Sequence, residues 1–344
     1  MQDNRFVIPF LAIISLILVG FVLKVAQGVV LPLILAWLLS YLLAPVVKFL
    51  VRKRVPTGMA VLVVLILLVG FLYLTGLFVY SRAMAFYAES ARYADQLNQI
   101  TTSLTDGISM PPWFSADAID WQKGISSWLV SLPGSFVGFG GDLFLVTIFL
   151  VFMLLGKPYG KRKIQHAFDG ERADKIISVT SSITGQISRY LSLKVAISAM
   201  TAFMVWVVLT IMKVDFPITW AVFTFLLNFI PTVGSIIATV PPVLIAVVQF
   251  YPDFWPATVV LALLLVIQQG MGNLVEPKLM GDSLNLSPVV ILLSLLFWGW
   301  LWGIPGALLS VPIAAAIKIV CENIEALKPI SVLMGTGKKF PKTA

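Results

Sequence analysis

Residues 216–248 read FPITWAVFTFLLNFIPTVGSIIATVPPVLIAVV, an apolar segment interrupted at its centre by Ile230-Pro231 and by Gly234. A second apolar segment, residues 286–320, reads LSPVVILLSLLFWGWLWGIPGALLSVPIAAAIKIV and is interrupted in the same way at residues 303–306. Backbone groups freed at such a break cannot face lipid, so they must be buried in protein or line a watery cavity. The pattern predicts two membrane-embedded hairpins, which are typical of the binding sites of secondary transporters.

The composition of the whole chain indicates a polytopic membrane protein. Hydrophobic residues make up 59% and charged residues 12%, against roughly 45–50% and about 25% in soluble domains. Windows of about 18 apolar residues are long enough to cross a bilayer. We therefore predict an all-α membrane protein with about eight membrane segments.

Several chemistries are excluded by residue types that are scarce or absent. The chain has one cysteine, Cys321, and one histidine, His166. These cannot build a disulfide within the chain, or a typical zinc, haem or Cys/His nucleophile site. The sequence carries no P-loop, GxSxG or HExxH motif, so neither ATP-driven transport nor hydrolysis is supported. We predict that the protein is not an enzyme and uses no cofactor or metal.

The net charge of +8 reflects the positive-inside rule and not nucleic-acid binding, because the basic residues lie in short loops beside apolar segments. The basic clusters at residues 48–54 and 157–194 are predicted to be cytoplasmic, as are both termini. If these basic clusters are cytoplasmic, both ends of the hairpin over 216–250 lie on the extracytoplasmic face of the membrane. Both ends of the hairpin over 286–322 then lie on the cytoplasmic face. The two hairpins are therefore predicted to be oppositely oriented, as in an inverted repeat.

The predicted organisation combines membrane segments with one extracytoplasmic and one cytoplasmic part. Within residues 82–138, apolar residues recur at helical spacing between charges, which favours packing on a neighbouring element or subunit. In the predicted core the two hairpins flank a helix over 255–276. The six predicted parts are three transmembrane helices (1–81), an extracytoplasmic amphipathic helical arm (82–138), a fourth transmembrane helix (139–156), a basic cytoplasmic amphipathic segment (157–194), a transport core (195–325) and a cytoplasmic tail (326–344).

Polar residues on the central helix are candidates for solute binding. Gln269, Asn273 and Glu276 fall at i, i+4 and i+7, on one face of an α-helix, and Gln268 lies beside them. Amides at membrane depth are costly unless they are paired, so these side chains should face the protein interior. Together with Asn228 they could bind a hydroxyl-rich, uncharged solute. Hydrogen bonding between helices explains the same residues equally well.

Two further groups of residues are candidates for movement and coupling. The predicted hinge or break positions are Pro231, Gly234, Pro241, Pro305, Gly306 and Pro312, although a kink in an ordinary helix pair would use the same residue types. Near the cytoplasmic edge lie Glu276, Lys278 and Asp282. These three could form a gate or a proton or ion site, or Glu276 and Lys278 could form an interfacial ion pair.

The chain resembles the autoinducer-2 exporter family over nearly its whole length. The resemblance rests on NFIPTVGSIIATVPP (228–242), GNLVEPKLMG (272–281) and LSLLFWGWLWGIPGALLSVP (293–312). It implies a bacterial inner-membrane transporter that moves a quorum signal outward, as a homopentamer with hairpins that move in an elevator-like manner. The positions that match the motifs are Asn228, Pro231, Gly234, Gly272, Asn273, Glu276, Pro277, Gly306 and Pro312. The family also includes proteins described as sodium/proton antiporters.

We therefore predict an exporter of a small polar signal molecule, most simply autoinducer-2, that works by alternating access of its hairpins. Its expected partners are the bilayer, this solute and further copies of the chain. The first alternative is a sodium(lithium)/proton antiporter that uses Glu276 with Lys278 or Asp282, although few carboxylates lie at membrane depth. The second is a membrane scaffold without transport activity, in which the arm over 82–138 binds a partner.

Overall fold

The computed structural model describes residues 4–105, 140–230, 233–280 and 286–336. Pro231, Asp282 and the predicted arm beyond Thr105 therefore lie outside the described residues. Within the described ranges the chain is helical and forms no strand, apart from an isolated bridge between Leu286 and Gly335. This confirms the predicted all-α class.

Twelve helices follow one another along the described residues, and short 3₁₀ turns precede α5 and α12. A π-helical turn over Gly270–Val275 joins α9 to α10. The helices are α1 (Asn4–Val25), α2 (Gln27–Arg52), α3 (Thr57–Thr105), α4 (140–156), α5 (Gly160–Ala167), α6 (Gly170–Ile211), α7 (Pro217–Leu227), α8 (Val233–Gln249), α9 (Trp255–Gln269), α10 (Glu276–Met280), α11 (Pro288–Asn323) and α12 (Lys328–Leu333).

Six helical stretches of the described chain are long and apolar enough to cross a membrane, which supports a multi-pass protein. The two shorter apolar helices α7 and α8 are the limbs of the first predicted hairpin. An 11-residue helix such as α7 is about 17 Å long and falls short of the bilayer core. The predicted total of about eight segments remains a prediction. The six stretches are Gln27–Arg52, Thr57–Glu89, Gly140–Ala167, Gly170–Ile211, Trp255–Leu279 and Pro288–Asn323.

The chain divides into two compact units, and each is assembled from separate parts of the sequence. The first unit comprises Met1–Val64, Gly140–Leu191 and Asp282–Ala344, and the second comprises Leu65–Phe139 and Ser192–Gly281. The predicted transport core over 195–325 is thus shared between both units. The boundary predicted after Lys194 lies inside α6, which continues because no proline interrupts it.

In the second unit the chain turns back on itself between α7 and α8. The turn contains Asn228 and Ile230, and the first turn of α8 packs against the end of α7. A Cβ atom added to Gly234 would overlap the carbonyl oxygen of Leu227 and lie 2.7 Å from its carbonyl carbon. Only glycine permits this approach, so Gly234 is required by the packing of the turn.

In the first unit α11 is broken at Gly303, whose φ of 66° and ψ of −142° are not helical. Its two limbs pair across the break, because the hydroxyl of Ser294 donates to the backbone carbonyl of Ser310 at 2.8 Å. A Cβ atom added to Gly306 would overlap the carbonyl oxygen of Trp298. Gly234 and Gly306 therefore permit the same kind of close approach at the start of a second limb.

The prolines predicted as hinges occupy different surroundings in the structure. Pro241 lies inside α8 and Pro312 inside α11, and helix continues on both sides of each. Pro305 is exposed and follows the break at Gly303. Proline lacks the N–H that would bond one turn back, so Pro241 and Pro312 each leave a carbonyl without its helical partner, whereas Pro305 lies in the first turn after the break, where that N–H has no partner. Their role in hinge motion remains a prediction.

Helix α3 continues without interruption from the third membrane segment into the predicted arm, because its sequence contains no proline up to Thr105. In the second unit Tyr93 and Ile100 are buried against Val248 of α8. The ring of Phe86 stacks on that of Tyr93 at 5.9 Å and meets that of Phe216 edge-on at 5.8 Å. These three apolar residues of the predicted arm therefore pack on neighbouring elements of the second unit.

A polar network anchors the arm beside this apolar contact. The hydroxyl of Tyr93 donates to the carboxylate of Asp215 at 2.6 Å. The side-chain amide of Gln249 donates to the carbonyl of Lys213 at 2.8 Å, and its oxygen accepts from the Asp215 N–H at 2.9 Å. Burial and the adjacent carboxylate raise the pKa of Tyr93 above its usual value. The phenol therefore stays protonated and keeps donating throughout the physiological range.

We expect Tyr93→Phe to lower the free energy of unfolding by about 1.5–3 kcal/mol, because it removes a hydrogen bond to a charged group. Thermal unfolding of the purified protein measures the loss. Because the pKa of Tyr93 is raised on folding, its contribution is present below the usual tyrosine pKa and fades only as pH rises through the raised value. Tyr73→Phe, on the same helix at a side chain that is 66% exposed, is the matched control. Equal melting temperatures for the two variants would contradict the anchor.

Candidate functional site

A face of buried polar side chains on α6 is the centre of the candidate site. Lys194 is 3% exposed, and Ser198 and Thr201 are fully buried. The three residues fall at i, i+4 and i+7 and therefore share one side of the helix. Thr201 satisfies its hydroxyl locally by donating to the carbonyl of Ile197 at 2.8 Å, which leaves Lys194 and Ser198 to bond other elements.

Lys194 forms an ion pair with Glu276, the first residue of α10. The ammonium donates to Oε1 of the carboxylate at 2.7 Å, and the two side chains are 4% and 24% exposed. The predicted pairing of Glu276 with Lys278 does not occur. Residues two apart on a helix point in different directions, and Lys278 is exposed.

The π-helical turn over Gly270–Val275 sets the direction of Glu276. A π-helix bonds i to i+5, so it shifts the register of the residues that follow it. The α-helical spacing that placed Gln269, Asn273 and Glu276 on one face therefore does not extend to Glu276. Single π turns inside helices are frequent at functional sites.

The predicted amides on this helix bond to each other. The side-chain amide of Asn273 donates to the side-chain oxygen of Gln269. Both residues are exposed on the chain, and Gln268 is half-buried. Their polar atoms are thus accessible, and the bond between them satisfies one donor and one acceptor at membrane depth.

Asn228 ties the first hairpin to the polar face of α6. It follows the last residue of α7, and its side-chain amide donates to the hydroxyl of Ser198 at 3.0 Å. Since Ser198 lies one turn from Lys194, the structure brings Asn228 and Glu276 to the same side of α6. Gln269 and Asn273 are predicted site residues that form a separate pair.

Lys194 and Ser198 are the site residues that the sequence interpretation missed. Lys194 is the last residue of the basic segment over 157–194, which is predicted to be cytoplasmic and whose lysines are expected to be solvated. A signal was nevertheless present, because Lys194, Ser198 and Thr201 form a polar stripe at helical spacing at the start of an apolar run.

The site offers hydrogen-bond donors and acceptors but no net charge. The ammonium and carboxylate cancel, and Ser198 and Asn228 are neutral. Among the described residues no group of three or more His, Cys, Asp or Glu is placed to hold a metal ion. The arrangement is suited to recognising hydroxyl and carbonyl groups of a polar solute.

Comparisons with known proteins identify one transporter family and several similar transport proteins. The sequence model of a family described as AI-2E family transporter matches residues 11–326. A putative transport protein of Borreliella burgdorferi is 33% identical over 94% of this chain and 89% of its own length. The AI-2 transport protein TqsA of Escherichia coli K12 is 32% identical over 97% of this chain and 96% of its own. The putative transport protein YhhT of the same organism is 31% identical over 95% of this chain and 93% of its own length.

Proposed function

The chain belongs to the AI-2E family of transporters, and on this premise we propose that it exports a small, polar, mostly uncharged signal molecule across the bacterial inner membrane. Autoinducer-2 is the proposed cargo, because a relative that matches nearly the whole chain is named for its transport. Family and relatives are transporters and not enzymes, so the residues of the site bind and release a solute without chemical change.

The observation that carries the proposal is the bond between Asn228 and Ser198. It places an amide and a hydroxyl at the break of a hairpin whose limbs are mostly apolar. Such a pair can exchange its internal hydrogen bond for bonds to a hydroxyl-bearing solute at little net cost, since bonds of similar strength replace each other. The accessible pair of Gln269 and Asn273 can exchange its bond in the same way.

The proposed mechanism is alternating access by movement of the hairpins. Because Gly234 lies directly against the backbone of Leu227, we propose that α7 and α8 move together. Separation of Asn228 from Ser198 would open the site, and the bound solute would replace the lost bond. The opposite orientation of the two hairpins, cytoplasmic termini and an elevator-like motion are parts of this proposal.

We expect Asn228→Ala to reduce export of autoinducer-2 by about threefold to tenfold, the effect of one neutral hydrogen bond. External signal is measured in cells that lack other exporters, at equal amounts of protein in the membrane. Asn323→Ala is the matched control, since Asn323 caps its own helix by donating to the carbonyl of Ile319. Unchanged external signal in the Asn228→Ala cells would refute the assignment of this residue.

Sodium(lithium)/proton antiport is a second candidate, favoured by one observation. The carboxylate of Glu276 lies within the apolar stretch Trp255–Leu279, where ionisable groups commonly mark ion pathways. Sodium-driven proton flux in proteoliposomes that disappears in Glu276→Gln would favour antiport over signal export.

We also propose that the protein works as a homo-oligomer, with a pentamer as the expected assembly. Large apolar side chains such as Phe152, Trp255 and Trp300 are exposed on the single chain and are suited to contact with lipid or with another copy. Native mass spectrometry from detergent micelles counts the subunits directly.

A further inference from the structure

We propose that Lys194 determines the charge specificity of the site: its ammonium cancels the charge of Glu276, so the site accepts neutral hydroxyl-bearing solutes and rejects sodium. This inference rests on the proposed export function but adds a rule for which solutes are excluded. It concerns a residue that lies outside every motif that carries the family resemblance.

The pair is close and shielded enough for the two charges to cancel locally. The ammonium nitrogen and Oε1 of Glu276 are 2.7 Å apart, and the lysine side chain is 4% exposed. A carboxylate without a partner at this depth would draw in a cation or a proton, because an isolated buried charge is strongly unfavourable. Lys194 is that cation, supplied by the protein itself.

Replacing Lys194 by sodium as the partner of Glu276 would be unfavourable. Sodium would satisfy the carboxylate but leave the buried ammonium without a counter-charge. Ser198 and Asn228, which bond to each other on the same face, are neutral and cannot compensate. The resting site therefore disfavours a cation even though it contains a carboxylate.

The pair retains hydrogen-bonding capacity for a neutral solute. An ammonium has three donors and a carboxylate has two acceptor oxygens. Among the described residues, one donor of Lys194 is bonded to one oxygen of Glu276, and no other hydrogen bond of either side chain is present. The remaining donors and the second oxygen can bind the carbonyl and hydroxyl groups of a vicinal hydroxy-carbonyl compound.

The test compares variants that change the net charge of the pair. Lys194→Met leaves the carboxylate alone, Lys194→Arg keeps the pair, and Lys194→Met with Glu276→Gln removes both charges. Lys175→Met, at an exposed lysine of the same helix, is the control. For each full-length protein, sodium-dependent change in melting temperature is measured at alkaline pH, where protons compete least, and autoinducer-2 counterflow is measured in liposomes.

We expect sodium to raise the melting temperature of Lys194→Met by about 3 °C at saturation and to leave the other four proteins unchanged. Autoinducer-2 counterflow should fall by about tenfold in Lys194→Met and persist in Lys194→Arg. Stabilisation of the unaltered protein by sodium, or its absence in Lys194→Met, would overturn the inference.

The two measurements separate this inference from the proposed function. Suppose that the unaltered protein moves no autoinducer-2 and that sodium raises the melting temperature of Lys194→Met alone. Then autoinducer-2 is not the cargo, but Lys194 does exclude sodium from the site. If autoinducer-2 moves equally well in the unaltered protein and in Lys194→Met, the export function holds and the charge rule fails. Should Lys194→Met not fold, the double variant decides: a sodium response in that uncharged pair would overturn the rule.

Discussion

Replacing Gly234 or Gly306 by alanine is expected to remove most of the folded protein from the membrane. Each added methyl group would overlap a backbone carbonyl oxygen, that of Leu227 or that of Trp298. Backbone cannot rotate away as a side chain can, so the two limbs of the hairpin must separate. Overpacking of this kind costs about 1–3 kcal/mol and occasionally more. We expect each variant to lose about 3 kcal/mol of folding free energy, the upper end of this range, because the overlapped atoms belong to the backbone and not to a flexible side chain.

Gly185→Ala is the matched control for both hairpin variants. Gly185 lies inside α6, and an added Cβ atom would meet nothing within 4 Å. This substitution should stabilise the helix by up to about 1 kcal/mol through its higher helix propensity. Fluorescence-detected size-exclusion chromatography and thermal unfolding compare the three proteins. A Gly234→Ala protein that elutes and melts like the unaltered chain would show that the turn can relax without cost.

The hairpin breaks were predictable from local chemistry, whereas the reason for their glycines was not. Proline and glycine at the centre of an apolar segment signal a break, and the structure has one at residues 228–230 and another at Gly303. The sequence suggested that glycine frees backbone groups for a solute. The structure shows that Gly234 and Gly306 permit close packing of two limbs, which depends on how the limbs meet and not on their composition.

The contacts among the candidate site residues were predictable only in part. Periodicity identified Gln269 and Asn273 as neighbours, and they do bond. It could not identify the partner of Glu276, because Lys194 lies far away in the sequence and a π-helical turn changes the register between Asn273 and Glu276. The same limit applies to Asn228, a predicted site residue whose bond to Ser198 is not indicated by helical spacing. Contacts between distant segments depend on tertiary packing, which helical spacing does not contain.

The largest effect of charge on stability is expected when one member of the Lys194–Glu276 pair is removed. Glu276→Gln leaves an ammonium that is 3% exposed without a counter-charge, and breaking a buried pair in this way costs about 3–5 kcal/mol. Lys194→Met should cost a similar amount by leaving the carboxylate unpaired. Thermal unfolding in detergent without sodium measures both losses.

The double variant Lys194→Met with Glu276→Gln is expected to be more stable than either single variant, because no uncompensated charge remains buried. The sum of the two single losses should therefore exceed the loss in the double variant by more than about 3 kcal/mol, because the double variant loses less than either single variant. Glu89→Gln is the control for an exposed pair: the Arg92 and Glu89 side chains are 53% and 47% exposed, so little stability should be lost. Additive losses would mean that the two charges act independently. In that case the neutrality of the site, and with it the exclusion of sodium by Lys194, would lose its physical basis.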